Sequence, residues 1–205
     1  MSNGPILYYS FENVSGSTVI DSGSGGNNGT MVNSPTITTG KMGKAVSLNG
    51  SNQSITVGTI SLSTITISTW IYANSSSGNI IVEKAPVNSE WLLMFEGGYV
   101  VWRGSDTSHD LRLTAPSTGA WHHIAATFDG TTAIVYIDGV AVGSNSRPAH
   151  TNGTGAIYIG GGVDFSAYYF NGVVDEVYIF DRALSQAEII GLYNLPSSRS
   201  AIGFM

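Results

Sequence analysis

Gly119-Ala120-Trp121-His122-His123-Ile124-Ala125-Ala126-Thr127-Phe128-Asp129-Gly130-Thr131-Thr132-Ala133-Ile134-Val135-Tyr136-Ile137-Asp138-Gly139-Val140 decides how this chain folds. Its alternating apolar residues predict two β-strands joined at Asp129-Gly130, with a second tight turn at Asp138-Gly139. Asp-Gly between such runs is the strongest short-range hairpin signal, because a type I′ turn needs positive φ at both central residues. The stretch also holds two of the four histidines, side by side. Neighbours on a strand face opposite ways, so only one imidazole can enter any one site. His109 and His150 are distant, no His-x-His or His-x3-His spacing occurs, and no Gly-x-Ser-x-Gly elbow is present. The pair therefore reads as scaffold, with Trp121 and one histidine in the core and the other histidine toward solvent.

Outward from this hairpin, period-2 alternation recurs at residues 6–11, 45–48, 54–57, 64–72, 80–82, 91–95, 99–102, 111–113, 156–159 and 173–180. β-Branched and aromatic residues dominate these runs, and Gly, Asn, Ser and Asp fill the gaps. Many short strands with frequent turns predict an all-β antiparallel sandwich or barrel. No fixed-period repeat points to a propeller or solenoid. One short C-terminal helix is predicted over 184–194. Ser185 and Glu188 form a capping box, Leu184 and Ile189 sit at staple positions, and Pro196 blocks continuation. This helix is expected to close an open end of the sandwich.

The 205 residues suit one domain, taken as 1–195, followed by a tail over 196–205. The tail ends in the apolar Ala201-Ile202-Gly203-Phe204-Met205. It is expected to dock on a neighbouring subunit of a homo-oligomer, with packing on its own domain as the alternative. Hydrophobic residues make up 42% of the chain and charged residues only 11%, so Ser, Thr, Asn and Gly must dress the surface. That composition is typical of β-rich proteins that work outside the cytoplasm. A net charge of −6 and eight scattered Lys and Arg residues argue against nucleic acid as a partner. The absence of cysteine excludes disulfides, thiol catalysis and Cys-based zinc sites. No apolar run approaches the ~20 residues of a membrane-spanning helix, and no membrane insertion is expected. Met1-Ser2-Asn3-Gly4-Pro5 shows no secretory signal. The expected location is extracellular or a virion surface, reached after loss of a signal or by another route.

Several stretches then carry a resemblance, in order along the chain. They are Tyr9-Ser10-Phe11-Glu12, Val19-Ile20-Asp21-Ser22-Gly23 leading to Asn28-Gly29-Thr30, residues 40–50, Ile67-Ser68-Thr69-Trp70-Ile71, and Trp121 through Gly130. Tyr136-Ile137-Asp138-Gly139, Ile157-Tyr158-Ile159-Gly160 and residues 172–185 complete the set. With these pieces, residues 6–194 resemble the laminin-G-like group of concanavalin A-type lectin/glucanase jelly rolls. The resemblance implies two antiparallel sheets packed face to face, one of them concave and often the ligand face. Members are mostly non-catalytic modules for glycans or protein partners, with laminarinase-type glycoside hydrolases as relatives. Those hydrolases place two carboxylates at alternating positions of one strand. Here Glu83, Glu90 and Glu96 are isolated, and the adjacent Asp175-Glu176 should face opposite ways.

The expected function is therefore a non-catalytic recognition or surface-display module, with carbohydrate binding and adhesion to glycans or cell surfaces as its leading form. A structural virion protein (decoration, fibre or neck component) is the alternative, and a glycoside hydrolase the distant one. Sugar rings stack on aromatic faces while a few polar groups fix orientation. Candidate ligand residues are Trp102, Arg103, Asp106 and His109, near Trp91, Tyr99, Asp110 and Arg112, and a second group of Asp164, Phe165, Tyr168 and Tyr169. Trp70 follows a clean alternating strand and is assigned to the core. The loop 21–30 offers hard oxygen ligands on a flexible backbone, suited to a structural calcium held by Asp21 and Asn27. Asp175 resembles the family residue that approaches such a loop. The alternative is a Gly/Asn turn in which Asp21 caps backbone N–H groups.

Overall fold

Strands follow one another almost without interruption by helix, as β1 (Leu7–Tyr9), β2 (Val14–Ser15), β3 (Thr18–Val19), β4 (Gly29–Val32), β5 (Thr36–Thr39), β6 (Lys44–Asn49), β7 (Ser54–Thr59) and β8 (Ile65–Ala73). They continue as β9 (Asn79–Lys84), β10 (Trp91–Glu96), β11 (Tyr99–Arg103), β12 (Leu111–Thr114), β13 (Trp121–Phe128), β14 (Thr132–Ile137), β15 (Val140–Ser146), β16 (Ala156–Ile159) and β17 (Asn171–Phe180), and close with helix α1 (Gln186–Tyr193). The computed structural model describes residues 4–85, 91–104, 107–146, 153–162 and 168–195. Asp106, Asp164, Phe165 and the tail 196–205, with Pro196, lie outside the described residues.

Two antiparallel sheets form the sandwich, as expected. The first runs β15-β14-β13-β8-β17-β6-β5; β17 is long enough to pair β6 with its first half and β1 with its second. The second runs β12-β11-β10-β9-β16-β7-β4-β3-β2. Between them lies one core, which includes Ile67, Ile71, Phe95, Trp102, Phe128, Phe170 and Val174. Buried apolar area of this kind is the main stabilising term of such a fold.

The Trp121–Val140 stretch forms β13 and β14 in the expected pairing, Ile124 opposite Ile137 and Phe128 opposite Ala133. Its two turns differ. Asp138 (φ 51°) and Gly139 (φ 79°) both adopt positive φ, as a type I′ turn demands. At the other end only Gly130 does (φ 102°). There Asp129 Oδ1 accepts the N–H groups of Thr131 (2.8 Å) and Thr132 (2.7 Å), so a side-chain-closed loop replaces the two-residue turn.

Helix α1 keeps its predicted cap, with the Ser185 and Glu188 side chains each accepting the other's backbone N–H. Its position corrects the expectation. It does not close an end of the sandwich but lies on the outer face of the first sheet. There Leu184, Ile189 and Leu192 pack against Ala125, Tyr136, Tyr178 and Phe180. This explains why all of β8 except Tyr72 is buried: one side meets the core and the other lies under α1. The polar side chains trapped there are bonded. Thr66 Oγ1 donates to Arg182 O (2.7 Å) and accepts Leu184 N–H (2.9 Å), and Thr69 Oγ1 donates to Asp175 O (2.9 Å). Trp70 is buried as expected, but beneath the ring of Tyr193 (centroids 5.4 Å) and under Lys41 Nζ (4.4 Å). Among the described residues no helix is long and apolar enough to cross a membrane.

Candidate functional site

The outer face of the second sheet combines charged side chains with an exposed aromatic ring. Register sets Glu83, Leu92 and Arg103 in one row across β9, β10 and β11, and Ile80, Met94, Val101 and Arg112 in the next, which reaches β12. Ile80, Leu92, Met94 and Val101 form a buried apolar floor separate from the sandwich core, with Tyr168 packed on it. Past Met94 along β10 comes Glu96, opposite Tyr99. Tyr99 is 45% exposed, the most open aromatic residue of the described chain. The Arg112 guanidinium lies 5.3 Å from its ring centre.

Four charged groups tie this face together. Arg103 Nε donates to both oxygens of Asp110 (3.0 Å each), and Arg103 Nη2 donates to Asp110 Oδ2 at 2.6 Å. Arg103 Nη2 also reaches Glu96 Oε2 (3.4 Å), which accepts from Arg112 Nη1 as well. The Arg112 hydrogen bond, reinforced by attraction to both guanidiniums, outweighs burial and holds the Glu96 carboxyl below its ordinary range. Such bidentate, partly buried pairs fix geometry far better than isolated surface ion pairs.

The predicted ligand residues scatter on this frame. Trp102 is a correction: it is fully buried and stacks on Trp91 (centroids 6.0 Å), because it points into the core while Val101 and Arg103 point out. Arg103 is on the predicted face but engaged with Asp110. His109 ends a short 3-10 turn, Thr107–His109, and its carbonyl accepts Asn145 Nδ2 (2.7 Å), tying the turn to β15. Tyr168 and Tyr169 are half-buried, Tyr169 lying against the backbone of Gly161. Glu96 lacked a recognisable sequence signal, since only register brings it beside Tyr99 and Arg112.

The expected calcium ligands do not converge. Asp21 Oδ1 accepts the N–H groups of Tyr8 (2.8 Å) and Gly23 (2.7 Å), and Oδ2 accepts that of Asn27 (2.7 Å). The Asn27 side chain donates to Ile6 O (3.2 Å), and its carbonyl accepts Tyr9 Oη. These bonds are those of the alternative expected for this loop, a turn in which Asp21 caps backbone N–H groups. Asp175 is held elsewhere: Oδ2 accepts Met42 N–H and Oδ1 accepts Glu176 N–H, both at 2.8 Å. Among the described residues no three His, Asp or Glu side chains gather as a metal site. Asp175 and Glu176 also depart from strict alternation. Val174 and Val177 both face the core, with a register shift and a left-handed Glu176 (φ 52°) between them. Both carboxylates are buried, and Glu176 Oε2 accepts the hydroxyls of Tyr8 and Tyr178.

His122 and His123 separate as alternation requires, but Trp121 is only half-buried. His122 Nδ1 lies 2.8 Å from Asp138 Oδ2 and Nε2 lies 3.0 Å from Ser117 Oγ, while Asp138 Oδ1 accepts His123 N–H (2.9 Å). Sequence reading missed this chain because its three members come from separate turns and a strand. Ser-His-Asp is the order of an acyl-transfer relay, which also needs N–H donors poised for an oxyanion. The Gly119 N–H is engaged with Ala73 O at 2.9 Å. What the chain does is tie the β12–β13 connection to the 138–139 turn.

His123 is sealed beneath α1, bonded through Nε2 to Ser68 Oγ (2.8 Å). Burial, opposed only by attraction to Asp138, pushes its pKa down to about 4. Below pH 6.5 the unfolded chain therefore takes up a proton that the native chain refuses. Stability should fall as pH drops from 6.5 to about 4, by about 3 kcal/mol in all, and this contribution is flat above that window. Urea midpoints at pH 7, 5.5 and 4 measure the decline, and His123→Gln should flatten it. An unchanged slope in that variant would exclude His123 as its source.

A profile of the Laminin G 3 family, described as the concanavalin A-like lectin/glucanases superfamily, matches residues 49–190. No curated protein matches the chain in sequence. Among solved structures, domain 4 of AbnA, an extracellular arabinanase of Geobacillus stearothermophilus in complex with arabinotriose, superposes with a TM-score of 0.76 at 22% identity, covering 94% of this chain and 100% of that one. The binding domain of Paraclostridial Mosquitocidal Protein 1 gives 0.76 at 21% identity, over 94% of this chain and 52% of that one. The binding domain of Botulinum neurotoxin DC in complex with SialylT gives 0.75 at 15%, over 94% and 51%. The chain thus spans about half of these toxin domains and all of the arabinanase domain. At such identities the likeness shows a shared fold. Profile match and fold together place the chain in the concanavalin A-like lectin/glucanases superfamily.

Proposed function

We propose that the protein is a non-catalytic carbohydrate-recognition module, displayed outside the cell, that binds its ligand on the outer face of the second sheet. One observation carries this reading: the exposed ring of Tyr99 stands beside the partly exposed side chains of Glu96 and Arg112. Aromatic surface with a few fixed polar groups is what sugar recognition requires. The same fold in an arabinanase domain holding arabinotriose and in toxin binding domains supports a binding role. On this face Glu96 and Asp110 are each joined to a guanidinium, whereas glycoside hydrolysis needs a carboxylate pair flanking one bond.

A glycan array followed by titration calorimetry with arabinotriose tests the reading. Tyr99→Ala should weaken binding at least about tenfold, the loss expected for one central aromatic contact, with an unchanged circular dichroism spectrum. Binding unaffected by Tyr99→Ala would move the site off this face, and no binding across a broad array would refute the reading.

A further inference from the structure

Resting on this reading of the face, we infer that it selects neutral sugars bearing adjacent hydroxyls and discriminates against anionic ones. Each guanidinium already has its carboxylate: Arg103 is held by Asp110, and Arg112 by Glu96, whose Oε2 also reaches Arg103. Two cations and two anions leave the cluster without net charge. An acidic sugar approaching the open N–H groups of Arg112 would lie beside the Glu96 carboxylate with like charge, and at Arg103 it would have to displace Asp110. The chain's net charge of −6 repels anions further.

What remains open on the cluster suits hydroxyl groups. Glu96 Oε1 accepts no hydrogen bond from the described residues, and the Glu96 side chain is 29% exposed. Arg112, at 39%, keeps N–H groups beyond those directed at Glu96 Oε2 and Glu96 O. A carboxylate acceptor fixed beside a guanidinium donor complements two neighbouring hydroxyls, one donating and one accepting. The Tyr99 ring next to them can take the apolar face of the same sugar. Because the arginines hold the Glu96 carboxyl below its ordinary range, the acceptor remains ionised in mildly acidic solution.

Calorimetry on the full chain with arabinotriose, sialyllactose and trigalacturonate at two salt concentrations tests the inference. Arabinotriose should bind at least about tenfold more tightly than either acid. Glu96→Gln leaves Arg112 without a carboxylate while Arg103 keeps Asp110, so it should weaken arabinotriose several-fold while strengthening the acidic sugars. Asp110→Asn, which leaves Arg103 only its 3.4 Å contact with Glu96, should shift selectivity the same way and serves if Glu96→Gln folds poorly. If the wild-type chain binds sialyllactose or trigalacturonate as tightly as arabinotriose, and Tyr99→Ala abolishes both, charge selection is wrong while the sugar-binding face stands. Failure to bind any of the three overturns both.

Discussion

Trp102→Ala lowers the free energy of unfolding by about 4 kcal/mol, within the range for truncating a large buried aromatic side chain. The indole is fully buried in the core and lies nearly parallel to Trp91, 14° between rings. Alanine would open a cavity between sheets whose strands are fixed on both sides by hydrogen bonding, so little collapse can relieve it. Urea denaturation should show a lower midpoint with an unchanged m-value. Trp102→Phe, which keeps a ring against Trp91, should recover about half of the loss. Sugar binding by Trp102→Ala, measured where the variant is folded, should equal that of the parent. A variant with parental stability that has lost binding would return Trp102 to the ligand site.

The sequence left the facing of β11 ambiguous. Alternation identified the strand, but Tyr99-Val100-Val101-Trp102-Arg103 has large side chains on both sides. Val100 and Trp102 face the core, while Val101 joins the floor beneath Tyr168. A one-residue difference in facing exchanges the two sets, and only pairing with β10 and β12 decides it. The same nonlocality hid Glu96, which meets Arg112 across three strands. Local chemistry is more legible. The Asp138-Gly139 turn and the Ser185–Glu188 cap rest on backbone angles and hydrogen bonds within a few residues, and both are formed. The short strands β2, β3 and β5 and the longer β15 escaped alternation because little of their surface is buried. The landing place of α1 was equally hidden. Its target is assembled from the β13–β14 hairpin together with β8 and β17, which lie far from it in the chain on either side.

Asp175→Ala should cost a further large amount, about 4 kcal/mol, and it separates a hydrogen-bonding role from a metal-binding one. The carboxylate has no exposed surface and accepts two backbone N–H groups, those of Met42 and Glu176. Removing it strands two buried donors, each costing ~1–3 kcal/mol, and frees the β5–β6 connection from β17. Asp175→Asn should lose nearly as much despite its matched size. Both carboxylate oxygens accept, so the amide must turn its NH2 toward one of the N–H groups, donor against donor. If the carboxylate instead held calcium with Asp21, chelation alone would destabilise the parent chain, and both substitutions would lose most of their effect once EDTA was present. The N–H groups gathered around Asp21 and Asp175 predict the other result. Parent melting temperatures should coincide in calcium and EDTA, and both variants should fall by the same amount in each. A melting temperature that rises with calcium and loses that rise in Asp21→Ala would restore the metal, and the same two carboxylates would then have to leave their N–H partners to bind it.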